Sequence, residues 1–123
     1  YDVVLLGQNG DAKIDVDRIE QRLADPKFAQ VAQSVSEIGF YNGVDLLSTF
    51  AAQGPQLQPW LADAQVNRDR NLRLQYLAGL GVNKYEQAQI YAEILQYRAV
   101  PQNLFSGSPE RLQALSTAIM NRY

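Results

Sequence analysis

Along most of the chain, apolar residues recur at three- and four-residue intervals, the period of a helix with one buried face. Two stretches depart from that period. In Leu72–Leu77, Leu72, Leu74 and Tyr76 alternate with Arg73 and Gln75, as in a strand with one buried and one wet face. In Asp2–Leu6 the run Val3-Val4-Leu5-Leu6 is apolar without a break, as in a strand covered on both faces of a parallel or mixed sheet. A single strand cannot satisfy its own backbone, so the two are expected to pair with each other. The pattern predicts a mostly helical α+β fold of about six helices with a minimal two-stranded sheet, residues 2–6 and 72–77.

The first helix is expected to begin near Asp15 or Asp17, the latter paired with Glu20 at capping-box spacing, and to bury Val16, Ile19 and Leu23. Asp25-Pro26 stops it and starts a second, with Asp25 as N-cap and Phe28, Val31, Val35 and Ile38 on one face, ended by Gly39. Asn42-Gly43 opens a short third helix with Val44, Leu47, Phe50 and Ala51 inward. Gly54-Pro55 begins a fourth that turns Leu57, Trp60, Leu61 and Ala64 inward, with Trp60 as a core anchor. Asn83 and Glu86 are spaced to cap a long fifth helix reaching to about Arg98. That helix is apolar over more than one face, which implies burial on two sides. Tyr85, Tyr91, Ile94 and Tyr97 are therefore the candidate interaction surface. Val100–Gly107 reads as a loop. Ser108-Pro109 starts a last helix that buries Leu112, Leu115, Ile119 and Met120.

Composition narrows the chemistry. At 123 residues, with 46% hydrophobic and 20% charged, the chain is expected to be one folded domain, 1–123. It opens inside an expected strand, which points to an excised piece of a longer protein. A net charge of −2 lacks the basic footprint of nucleic-acid binding. There is no cysteine and no histidine, which removes disulfides, thiolate chemistry, a serine hydrolase triad and the commonest general base. The cysteine count fits a cytoplasmic domain. No apolar run is long enough to span a bilayer, so no membrane segment is expected within the chain.

The remaining motifs have structural explanations. Gly7-x-x-Gly10 and Gly79-x-Gly81 each follow an expected strand but lack the third glycine of a dinucleotide loop, and Lys84 stands where it would fall. Most of the thirteen carboxylates, Asp15, Asp17, Asp25, Asp45, Glu86 and Glu110 among them, lie at helix starts, where the macrodipole favours them. Asp11, Asp15 and Asp17 supply oxygen ligands without an EF-hand spacing. Arg68, Asp69, Arg70 and Arg73 form the densest charge cluster, expected as a solvated or salt-bridged strand edge with Asp63 within pairing range. No catalytic, cofactor or metal residue is assigned.

One ordered set of motifs carries a resemblance. It comprises the VVLLG run, Asp15-Val16-Asp17-Arg18-Ile19 leading into Arg22-Leu23-Ala24, Asp45–Phe50, Trp60–Ala64 and Asn67-Arg68-Asp69…Leu74-Gln75-Tyr76. This order resembles the C-terminal end of spermidine-synthase-like proteins, particularly bacterial forms fused to membrane helices. It covers Tyr1–Val82. The family's last element reads Asn-Thr-Asp-Asp-x-Pro-x-x-Glu and then an aromatic; Asn67, Asp69 and Tyr76 fit, whereas Arg68, Arg70, Leu72 and Gln75 depart from it.

The resemblance implies a parent that transfers an aminopropyl group from decarboxylated S-adenosylmethionine to putrescine on a Rossmann-like sheet. The nucleotide loop, ribose-binding acid and catalytic aspartate of that family lie upstream of the matching segment. The chain is thus expected to be a non-catalytic C-terminal domain without a cofactor, partnered by the remainder of its parent and by a possible second copy. The alternative is a free-standing helical interaction module.

Overall fold

The computed structural model describes residues 3–72, 75 and 85–122. Among them lie six α-helices, α1 (Val16–Ala24), α2 (Ala29–Glu37), α3 (Gly43–Leu47), α4 (Gly54–Leu57), α5 (Gln87–Leu95) and α6 (Pro109–Asn121), and two short strands, β1 (Ile14–Asp15) and β2 (Phe105–Ser106). The architecture is α+β and mostly α, as the pattern predicts.

The two described strands lie at neither of the expected positions. β1 and β2 pair in parallel, Ile14 opposite Phe105 and Asp15 opposite Ser106, and Ile14 N–H donates to the Leu104 carbonyl at 2.7 Å. Residues 3–6 are not a strand: Val3, Val4, Leu5 and Leu6 are 49, 80, 87 and 88% exposed. Of the expected strand 72–77, Leu72 has φ +43 and Gln75 is helical, so neither is extended; the other residues lie outside the described ones. Leu72 instead closes a turn, its N–H donating to the Arg68 carbonyl at 2.9 Å.

The chain divides into two compact units. The larger comprises the described residues of Leu5–Phe50 and Ala99–Tyr123. Its core is Val16, Leu115 and Ile119, with Val44, Leu47, Phe50, Val100, Phe105 and Leu112 packed around them. The Phe50 and Phe105 rings meet edge to face, 5.7 Å between centroids, which fastens β2 over the core.

Local chemistry explains the helix ends. Asp15, not Asp17, caps α1, accepting from Arg18 N–H at 3.0 Å. Asp25 accepts from Lys27 N–H at 2.9 Å, but Pro26–Phe28 forms a 3₁₀ turn and α2 begins only after it. Gly39, at φ +91, ends the segment, and Phe40 N–H reaches back to the Val35 carbonyl. Asn42 caps α3 through Asp45 N–H at 2.8 Å. α6 starts at Ser108-Pro109 and buries Leu115 and Ile119 as expected, while Met120 is exposed. The face of α2 expected to be inward is mostly wet: Val31 is 53% and Ile38 70% exposed, and Phe28 is exposed as well.

The smaller unit comprises Val3, Val4 and the described residues of Ala51–Arg98. α4 is a single turn, with Gln53 N–H donating to Gln56 Oε1 at 3.0 Å. Trp60 Nε1 donates to Glu93 Oε2 at 3.4 Å, tying it to α5, whose buried residue is Ile94. Leu61 and Ala64, expected inward, are exposed.

Candidate functional site

In the larger unit the polar side chains converge on the mouths of the helices. The Asp17 carboxylate accepts from Ser108 N–H at 2.7 Å, from Ser108 Oγ at 3.0 Å and from Arg111 Nη1, joining α1 to the start of α6 across a separation of 91 residues or more. The Arg111 guanidinium is the main cause holding the Asp17 carboxyl below the usual carboxylate range, with the two Ser108 donors adding to it, and Asp17 raises Arg111 in return. Gly107 lies beside this contact, and its φ of +147 suits glycine.

Glu20 serves α3 and not its own helix: Oε1 accepts from Gly43 N–H at 3.0 Å and Val44 N–H at 3.3 Å. At the far end of α6, Arg122 lies 5.0 Å over the Phe40 ring and donates to Ser48 Oγ and to the Asp45 carbonyl. These are the chemically richest groups of the unit, and each is spent on fastening one element to another. Sequence reasoning missed the Asp17–Ser108–Arg111 contact; the one local signal was a Ser-Pro helix start with an arginine three residues on.

Among the described residues, two of the hollows lie in this unit. One, of about 260 Å³, is lined by Val100, Pro101, Gln102, Phe105, Leu112, Leu115 and Ser116 and contains no ionisable side chain. The other, of about 420 Å³, is an open depression among Arg18, Gln21, Arg22, Asp25, Lys27 and Phe28, with the Arg22 guanidinium 5.9 Å from the Phe28 ring centroid. Neither brings two carboxylates together, as acid/base or glycosidase-type chemistry requires.

Asp11, Asp15 and Asp17 do not converge, because Asp15 caps α1 and Asp17 faces Ser108 and Arg111. Among the described residues no group of three or more histidine, cysteine or acidic side chains could hold a metal ion.

In the smaller unit the four residues of the expected interaction surface separate. Tyr85 is 80% exposed with φ +48, Tyr91 and Tyr97 are half-buried, and Ile94, at 9% exposure, is interior. Ile90, which was not singled out for that surface, is exposed instead. Glu93 holds α5 in place, accepting from Gln89 Nε2 at 3.0 Å as well as from Trp60.

Arg68, Asp69 and Arg70 are exposed in the Arg68–Leu72 turn, where Asn71 Oδ1 accepts from Arg68 N–H at 2.9 Å, and no ion pair joins them to one another or to Asp63. Arg73, Gly79, Gly81 and Lys84 lie outside the described residues. No described helix is long and apolar enough to cross a membrane. Compared with known proteins, the chain matches no family model, no curated protein and no solved structure.

Proposed function

We propose that this chain is the C-terminal, non-catalytic portion of a spermidine-synthase-like protein whose upstream part transfers an aminopropyl group from decarboxylated S-adenosylmethionine to putrescine. The observation that carries the reading is the ordered set running from Val3–Gly7 through Asp15–Ala24, Asp45–Phe50 and Trp60–Ala64 to Asn67–Asp69. The spending of Asp17, Glu20, Arg111 and Arg122 on inter-element contacts, and the lack of any acid pair in the two hollows, agree with a packing role. In this reading the chain contributes scaffold surface, and the nucleotide and diamine are held elsewhere in the parent.

The test is calorimetric titration of the 123-residue chain with 5′-deoxy-5′-methylthioadenosine and then putrescine. No heat of binding is expected, and tight nucleotide binding overturns the non-catalytic assignment. The parent assignment is tested on the gene itself: a glycine-rich nucleotide-binding segment is expected upstream of the codon for Tyr1, and an upstream reading frame without one refutes it.

A helical interaction module is the second reading, favoured by the exposure of Tyr85 and Ile90 beside the packed face of α5. Under it, Ile90→Glu abolishes a complex while the fold survives. Ile94 is unsuited to that test, because it is buried.

A further inference from the structure

Three cationic side chains line one open depression of the larger unit. Arg18 and Arg22 come from α1 and Lys27 from the 3₁₀ turn after it, around a hollow of about 420 Å³. Among the described residues the ion pair joins Arg111 to Asp17, and no hydrogen bond engages the side chain of Arg18, Arg22 or Lys27. The carboxylates nearest them in sequence are committed elsewhere. Asp15 accepts from Arg18 N–H, Asp17 from Ser108 and Arg111, and Glu20 from Gly43 and Val44. Asp25, the acid in the lining, accepts from Lys27 N–H at 2.9 Å. The lining thus holds three positive charges against one negative.

This placement runs against local helix energetics. Arg18 is in the first turn of α1, where the macrodipole disfavours a cation. It also stands four residues before Arg22, so two like charges share one side of the helix. Arg22 has a local explanation, since it lies in the last turn and its guanidinium is 5.9 Å from the Phe28 ring centroid. Arg18 has none. Local rules broken together around one hollow are expected at functional positions.

The donors specify the ligand. Guanidinium forks present paired N–H groups that match phosphate oxygens, Lys27 adds a point charge, and the Gln21 amide adds a neutral donor. Phe28, 38% exposed, gives the same hollow an apolar wall. Size and charge favour a small ligand over a polyanion. The hollow falls within the range of about 300–1,000 Å³ usual for small-molecule sites. The chain as a whole is at −2, so beyond a Debye length of about 8 Å it draws in neither a nucleic acid nor an anionic bilayer.

The geometry points to a binding site for a small phosphate monoester, its phosphate held by Arg18, Arg22 and Lys27 and its aromatic or apolar substituent set against Phe28. This site is independent of the parent assigned above. Neither methylthioadenosine nor putrescine carries a phosphate, so the calorimetric test of that reading and the test of this one fail separately.

Phenyl phosphate and inorganic phosphate, titrated at fixed ionic strength into the isotope-labelled 123-residue chain and followed by NMR shifts of amide and arginine Nε–H groups, test the site. Phenyl phosphate is expected to give saturable shifts confined to residues 18–28, at lower concentration than inorganic phosphate, which has nothing to set against Phe28. Arg18→Gln and Arg22→Gln should each weaken phenyl phosphate binding by about tenfold, the ordinary loss for a charged hydrogen-bond partner. Without ligand, Arg18→Gln should leave the Tm unchanged or raise it, because the side chain is exposed and unpaired. Lys27→Gln, outside the α-helices, supplies the same readout should an arginine variant fail to fold.

Absence of saturable shifts overturns the inference, as do shifts spread equally over Arg111 and Arg122 or undiminished binding by the variants. Equal affinity for the two phosphates overturns the monoester assignment. Co-flotation with phosphatidylglycerol–phosphatidylcholine vesicles, without saturable phenyl phosphate shifts, gives the three cations to a membrane surface and overturns the small-ligand site.

Discussion

Asp17 is the residue on which the larger unit closes, because its carboxylate takes three donors from the start of α6. Its carboxyl is held below the ordinary range by Arg111 and Ser108, so its contribution to stability is present at neutral pH and is lost as pH falls through the depressed value. Asp17→Asn is expected to lower the Tm at pH 7. Thermal melts should show the difference shrinking as the pH drops below about 4, where an unperturbed aspartate protonates. A gap that stays constant with pH would mean that the carboxylate charge plays no part.

Gly43 is constrained by space, not by its dihedral angles. A Cβ there would stand 3.0 Å from Ile19 Cγ2 and 3.2 Å from Glu20 Cδ, and Glu20 is held by the N–H groups it caps. Gly43→Ala should therefore cost about 1–3 kcal/mol, measured by urea denaturation.

The elements differ in how far their amphipathic faces are used. α6 turns Leu115 and Ile119 fully into the core, so Leu115→Ala should destabilise by about 2–5 kcal/mol in chemical denaturation. α2 and its flanking residues have the same helical spacing in Phe28, Val31, Val35 and Ile38 but no buried residue. Ile38→Gln is expected to change stability by no more than about 0.5 kcal/mol, the ordinary range for an exposed position.

Identical periodicity thus has two outcomes. Spacing reports that a face is apolar, not that a neighbour is there to cover it. Helix starts were more legible, because capping is settled within one turn: Asp15, Asn42 and the Ser108-Pro109 start stand where their residue types place them. The capping box expected of Asp17 and Glu20 failed for the opposite reason. Both side chains are drawn to partners 23 or more residues away, at Gly43 and Ser108.

At the scale of the whole molecule, the described core is small. Val16, Leu115 and Ile119 are its fully buried side chains, while Val4, Leu5 and Leu6 stand in solvent.

The sequence by itself determined the class of fold, the order of the helices and the starts of α1, α3 and α6, because these follow from period, proline, glycine and short polar side chains acting over a few residues. It also determined that no thiol or imidazole chemistry resides in the chain. The tertiary structure alone decided which residues form the sheet, which amphipathic faces are covered, and that Asp17 and Glu20 fasten distant elements. Those outcomes depend on which surfaces meet across many residues of chain, and local spacing has no record of that meeting.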